Sequence, residues 1–213
     1  MRITALEPQR HYAERVNIHV DGAFRCGLAL EVVAAAGLRV GADVDEATLA
    51  ALERQDIVWK CRESALGLLS YRARSAAELR RRLLWKDFPP ETVDGVLVDL
   101  REKGYLDDAS FAAAFVRDRV RHRPRGKRRL VQELRAKGVE ADTAGEAVEE
   151  VFGGEAVSEA ELARAAAEAW IRKHGRAAAD AEVRRDARRR LYAYLSRRGF
   201  GGDAIREAAH ALD

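Results

Sequence analysis

Five apolar positions recur along this chain at fixed offsets, and that recurrence restricts the fold more than any other feature. Leu79, Leu83, Phe88, Leu97 and Leu100 reappear 51 residues later as Leu130, Leu134, Val139, Val148 and Val151. They reappear 61 residues after that as Leu191, Leu195, Phe200, Ala209 and Leu212. A period of this length marks a repeated supersecondary unit whose apolar side chains fill the same core sites. Each unit reads as helix–loop–helix. A further helix ahead of each pair, at roughly 57–71, 109–122 and 159–173, completes a three-helix bundle. The extra ten residues of the second interval fall in HGRAAADAEV, at and after His174. The expected fold is therefore mainly α, with tandem three-helix repeats stacked into an elongated curved body. Such bodies offer long surfaces rather than deep pockets.

Local signals agree with this division. Ser75-Ala-Ala-Glu78 is a capping box, and Leu79 and Leu83 follow at helical spacing. Pro89-Pro90 suits the first turn of the next helix, which carries Val93, Val96, Leu97 and Leu100 and stops near Gly104. Asp107 or Asp108 then caps a helix bearing Phe111, Phe115, Val116 and Val120. Ahead of the repeats the pattern differs. Val16, Ile18 and Val20 alternate with polar residues, Asp21-Gly22 follows, and Ala23 to Cys26 continues beyond it. An Asp-Gly between such runs signals a hairpin with a type I′ turn. Ile3 to Glu7 adds a third short strand, Leu28 to Ala36 a short helix ended by Gly37, and Asp45 caps a helix running to about Gln55. The expected units are thus a β-hairpin and helix unit at 1–56 and repeats at 57–108, 109–156 and 157–213.

Net charge is only +3, but its distribution is uneven. Residues 111–140 carry +7 and residues 141–162 carry −7. Segregation of this kind can build an electrostatic docking surface, or it can reflect solvated helix faces. Arg117, Arg119, Arg121, Arg123, Arg125, Lys127, Arg128 and Arg129 crowd into 13 positions, with Pro124 and Gly126 in their midst. The run is therefore a joint between helices. Guanidinium groups beside a helix start are suited to phosphate or carboxylate. Arg72 and Arg74 stand 51 residues before Arg123 and Arg125, at the equivalent joint. In the third repeat Arg184, Arg185, Arg188, Arg189 and Arg190 gather ahead of the corresponding helix. Pairing with nearby carboxylates is the alternative role for all of these side chains.

No catalytic constellation stands out. His11, His19, His122, His174 and His210 have no metal-ligand spacing, and there is no phosphate loop and no nucleophile elbow. No cofactor and no metal are expected. Cys26 and Cys61 fit no disulfide framework and read as buried thiols in a reducing cytoplasm. The N-terminus has no signal-peptide core, and no run is long enough to span a membrane.

The stretch from Leu69 to Arg119 resembles the first repeat, and the start of the second, of the RecX family of recombination regulators. RGKRRLVQELRAKGV is similar to that family's second repeat and RRRLYAYLSRRGFGGDAI to its third. The combination of GYLDD, the Ser-x-x-Glu-Leu start and the terminal RRGF-x-x-Asp-x-Ile carries the resemblance, which extends over about residues 57–213. The hairpin unit resembles an extension found in some members. Lys86-Asp87-Phe88 stands where Lys-Gly-Phe is usual, so a different turn geometry is expected there. The resemblance implies a monomeric, non-enzymatic protein that binds the RecA recombinase and the RecA–DNA filament and restrains ATP hydrolysis and strand exchange. It also implies contact with single- and double-stranded DNA without sequence preference. Within that reading the docking residues are Arg72, Arg74, Arg117 to Arg129 and Arg188, Arg189 and Arg190, while the acidic stretch Asp142–Glu161 faces basic elements of RecA. The competing reading is a helix-turn-helix transcription regulator, but the basic residues sit at joints and not along one recognition helix.

Overall fold

The computed structural model describes residues 1–10, 12–174 and 181–210. These divide into two compact units, the first comprising Met1–Arg72 with Leu79–Tyr105 and the second Ala73–Glu78 with the chain from Leu106 onward.

In the first unit three strands form an antiparallel sheet in the order β1 (Ile3–Gln9), β2 (Tyr12–Val20), β3 (Ala23–Ala29). The hairpin turns at Asp21-Gly22, whose φ values of 50° and 85° are those a type I′ turn demands. Val16, Ile18 and Val20 all point into the core, as their alternation requires. That core also takes Ile3, Leu28, Val32, Val33, Leu49 and Leu52. The strand holds the chain to Ala29, so helix α1 is shorter than expected, Leu30–Ala35.

The next helix departs more from expectation. Helix α2 runs unbroken from Glu46 to Tyr71, with Asp45 accepting the Thr48 N–H at 2.8 Å as its cap. There is no break after Gln55, because Asp56 is the anchor of the helix. It is 2% exposed, and its carboxylate accepts from Arg15 Nη1 and Nη2 at 3.1 and 3.0 Å and from the Ala29 N–H at 2.7 Å, with Lys60 Nζ at 2.8 Å. Burial raises the Asp56 carboxyl pKa, but these donors outweigh it and hold it below its ordinary value. Helix α2 also packs against α4 (Pro90–Glu102). Helix α3 (Ala76–Leu84) is tied to α4 by Arg80 on Asp94 and to α2 by Lys86 on Ser64. Cys26 and Cys61 are both buried thiols, and burial pushes Cys61 up to about 11.

The second unit contains two bundles. Helices α5 (Asp108–His122), α6 (Lys127–Ala136) and α7 (Ala141–Gly154) pack together, as do α8 (Glu159–His174), α9 (Ala181–Arg197) and α10 (Gly202–Ala209). Leu79, Leu130 and Leu191 each lie in the middle helix of a repeat and are fully buried, as are Leu83, Leu134 and Leu195. Each such side chain contributes roughly 1.5–3 kcal/mol of burial. Leu212 and most of the Ala-rich insertion lie outside the described residues. Asp107 caps α5 by accepting from Ala109 and Ser110, which leaves Asp108 to accept the Ala76 N–H at the start of α3.

The turn after each middle helix repeats down to its hydrogen bonds. Asp87, Gly138 and Gly199 donate to the carbonyls of Leu84, Arg135 and Ser196, with φ of 61°, 83° and 81°. The Lys86-Asp87-Phe88 turn thus has the geometry of its glycine counterparts, against the expectation of a different one. The glycines answer a second requirement. A Cβ on Gly138 would lie 2.2 Å from Ala77 Cβ, and one on Gly199 would lie 2.4 Å from the Arg129 backbone nitrogen. Each of these turns receives the start of an earlier middle helix. The Ser75 hydroxyl donates to the Lys137 carbonyl at 2.5 Å, and the Gly126 N–H donates to the Arg198 carbonyl at 2.9 Å. Both donor and acceptor are displaced by the repeat offsets, so one docking contact is used twice.

Candidate docking surface

The docking contact decides where the joint arginines go. Arg74 and Arg125 immediately precede the helix-capping residues Ser75 and Gly126, a position whose side chain is laid against the first turn of the helix it introduces. Arg74 is accordingly 7% exposed. Arg125 is 27% exposed, with its Nε buried and lacking a hydrogen bond among the described residues. Arg72 and Arg123 end the preceding helices and remain exposed. The expectation that each Arg-x-Arg pair presents both side chains alike is therefore corrected: Arg72 and Arg123 face outward, Arg74 is buried, and Arg125 is partly buried at the seam.

The basic run is also less isolated than its sequence suggests. Arg117 meets Glu155 at 2.5 Å and Glu150 at 3.4 Å, and Lys127 meets Glu149 at 2.6 Å. Its Glu155 hydrogen bond raises the Arg117 pKa. Arg119 pairs with Asp118 and Glu133, and Arg129 with Glu133. Glu159 reaches back to accept the N–H groups of both Lys127 and Gly201, closing the starts of α6 and α10. The −7 stretch thus folds onto the +7 stretch, and the members Glu149, Glu150, Glu155 and Glu159 are engaged within the chain. Exposed pairs such as Arg117–Glu155 are screened by solvent and add little to stability. Among the described residues, Arg121, Arg123 and Arg128 have no carboxylate partner, and all three are exposed at one joint.

In the third repeat the basic residues do not precede the helix. Helix α9 already begins at Ala181, so Arg184, Arg185, Arg188, Arg189 and Arg190 lie within it. Nothing in the sequence between Ala181 and Arg197 interrupts a helix. Arg189 and Arg190 share Asp186, at 3.3 and 2.5 Å, and Arg188 is exposed. Lys127-Arg128-Arg129 and Arg188-Arg189-Arg190 occupy equivalent places in α6 and α9, 61 residues apart.

Sequence reasoning missed Arg198 and Glu133. The Arg198 Nη1 donates to the Pro124 carbonyl at 3.0 Å, beside Arg125, and its guanidinium carbon lies 4.7 Å from the Tyr194 ring centroid. A signal for it was present: Lys86, Lys137 and Arg198 are related by the same offsets as the leucines. The first unit has a cleft of about 390 Å³ lined by Glu14, Glu31, Glu63, Trp59, Leu30 and Ala34. Its glutamates give it the wrong sign for a phosphate. Among the described residues no group of His, Cys, Asp and Glu could hold a metal ion, and no helix is long and apolar enough to cross a membrane.

Four family models cover the chain in order. Residues 1–45 match the regulatory protein RecX N-terminal domain, and residues 61–100, 107–148 and 159–209 match the first, second and third RecX three-helix domains. Regulatory protein RecX of Bacillus licheniformis is 30% identical over 211 residues, covering 99% of this chain and 77% of the relative. Its counterpart in Corynebacterium efficiens is 39% identical over 153 residues, covering 71% of each. A crystal structure of regulatory protein RecX aligns with a TM-score of 0.79 at 26% identity, covering 96% of this chain and 97% of that one. With each bundle and the N-terminal sheet matched in order, the chain belongs to the RecX family of regulatory proteins.

Proposed function

We propose that this protein binds RecA filaments on DNA and restrains their ATP hydrolysis and strand exchange, acting as a monomer in the cytoplasm and without catalysis of its own. Its RecX membership carries this reading. The outward arginines Arg121, Arg123 and Arg128 support it, because they are exposed cations without an internal partner among the described residues. Guanidinium groups of this kind suit DNA phosphates, whose contacts position a protein without reading sequence. Arg72, Arg188, Arg189 and Arg190 extend the basic surface on other repeats. Binding would act by differential affinity, shifting filaments from active toward inactive or disassembled states. The test is RecA ATP hydrolysis on single-stranded DNA with increasing amounts of this protein. Hydrolysis should fall as the protein approaches stoichiometry with the filament, and unchanged hydrolysis in excess protein would refute the reading.

A further inference from the structure

Four guanidinium groups converge where the α5–α6 joint meets the turn between α9 and α10. Glu133 Oε1 accepts from Arg129 Nε at 3.1 Å and lies 3.6 Å from Arg125 Nε, while its Oε2 accepts from Arg119 Nε at 3.2 Å. Arg198 closes the other side through its bond to the Pro124 carbonyl. One central carboxylate, with Asp118 at the rim on Arg119, faces four cations. The backbone leaves little room to relieve this crowding, because a Cβ on Gly126 would lie 2.1 Å from the Gly199 carbonyl oxygen. The Arg125 Nε is buried with no hydrogen bond among the described residues. Burial, and then the Arg198 charge, hold the Arg125 pKa below its ordinary value. Such a cluster is short of negative charge and of acceptors.

We propose that this seam is a phosphate site, in which Arg125 and Arg198 hold a DNA phosphodiester and Glu133 competes with it for Arg125. The inference rests on the reading of the basic surface as DNA-binding, and adds the place and the consequence. A phosphate lodged there bridges the second and third repeats, so binding stiffens their junction. The exposed Arg123 and Arg128 guide the strand, and the partly buried pair fixes it. The internal carboxylate keeps the site weak for free anions, so a single phosphate binds poorly and a polyanionic strand binds well.

The experiment uses the full chain, with inorganic phosphate as one probe and an oligothymidylate as the other. At constant ionic strength, phosphate at ten times its Kd should raise Tm by about 3–6 °C beyond chloride. Arg125→Gln and Arg198→Gln should each lose that increment, Arg54→Gln, exposed in the first unit, should keep it, and Glu133→Gln should enlarge it. The oligonucleotide should bind Arg125→Gln and Arg198→Gln at least threefold more weakly than wild type. If Arg125→Gln does not fold, Arg198→Gln carries the same test. A phosphate increment retained in the folded variants would overturn the site. Unchanged oligonucleotide affinity would overturn its assignment to DNA. Because no RecA is present, failure of the proposed effect on filaments would leave these results distinguishable.

Discussion

The Ser75 hydroxyl donates to the carbonyl oxygen of Lys137 at 2.5 Å, across 62 residues of chain, while accepting the Glu78 N–H at 3.1 Å. One side chain thus caps helix α3 and fastens its start to the turn after α6. Ser75→Ala removes both bonds and leaves the Glu78 N–H uncapped. It should cost about 1.5–3 kcal/mol, read from urea unfolding with an unchanged m-value. Ser75→Gly loses the same hydroxyl bonds, but glycine is a better N-cap than alanine, so its cost should be smaller.

The repeated turn gives a sharper comparison. Asp87, Gly138 and Gly199 share a left-handed backbone, but Asp87 is exposed, whereas another segment approaches closely at each of the two glycines. Gly199→Ala sets a Cβ against the Arg129 backbone, which cannot swing aside, and should cost about 2–5 kcal/mol. Asp87→Gly changes an exposed position and should lie within about 1 kcal/mol of wild type. Thermal unfolding of the two variants measures the difference directly.

Arg123 and Arg74 separate docking from packing. Arg123→Ala should leave stability within about 0.5 kcal/mol of wild type, since the side chain is exposed. Its affinity for single-stranded DNA should fall about threefold to tenfold, with the slope of log affinity against log salt flattening by about 0.7. Arg74→Ala should do the reverse, losing about 1–3 kcal/mol of stability with little change in salt slope. Equal behaviour of the two variants would contradict the division into outward and inward arginines.

Asp56 makes stability depend on pH. Its folded pKa lies below its unfolded value, so its contribution is complete above the unfolded pKa of about 3.9 and is lost as pH falls through the folded value. Asp56→Asn should cost about 3–5 kcal/mol at pH 7, because Arg15 and Lys60 lose their buried counter-charge. The gap between variant and wild type should narrow below pH 4, which denaturation curves at several pH values would show.

Much of the fold could be read from periodicity, because buried leucines at constant offsets have no other simple cause. Leu79, Leu130 and Leu191 located the three middle helices, and the Asp-Gly hairpin located the sheet. What escaped was set by tertiary contact. Asp56 sits in an uninterrupted helix only because Arg15 and Ala29, far away in sequence, supply its partners. The basic joint could be found from composition, but not which arginines face outward. That depends on the docking of Gly126 against the Arg198 turn and on carboxylates returned by α7, neither of which the local pattern encodes. Lys86, Lys137 and Arg198 were equally periodic, but a period sought in apolar residues passes over them.

On the proposed function, this chain meets RecA filaments through its outward basic surface. The most direct measurement is the rate of RecA ATP hydrolysis on single-stranded DNA, with wild type and with Arg123→Ala/Arg128→Ala added at matched concentrations. Wild type should suppress hydrolysis, and the folded double variant should need about tenfold more protein for the same suppression. Hydrolysis that proceeds unchanged with wild type in excess would contradict the account.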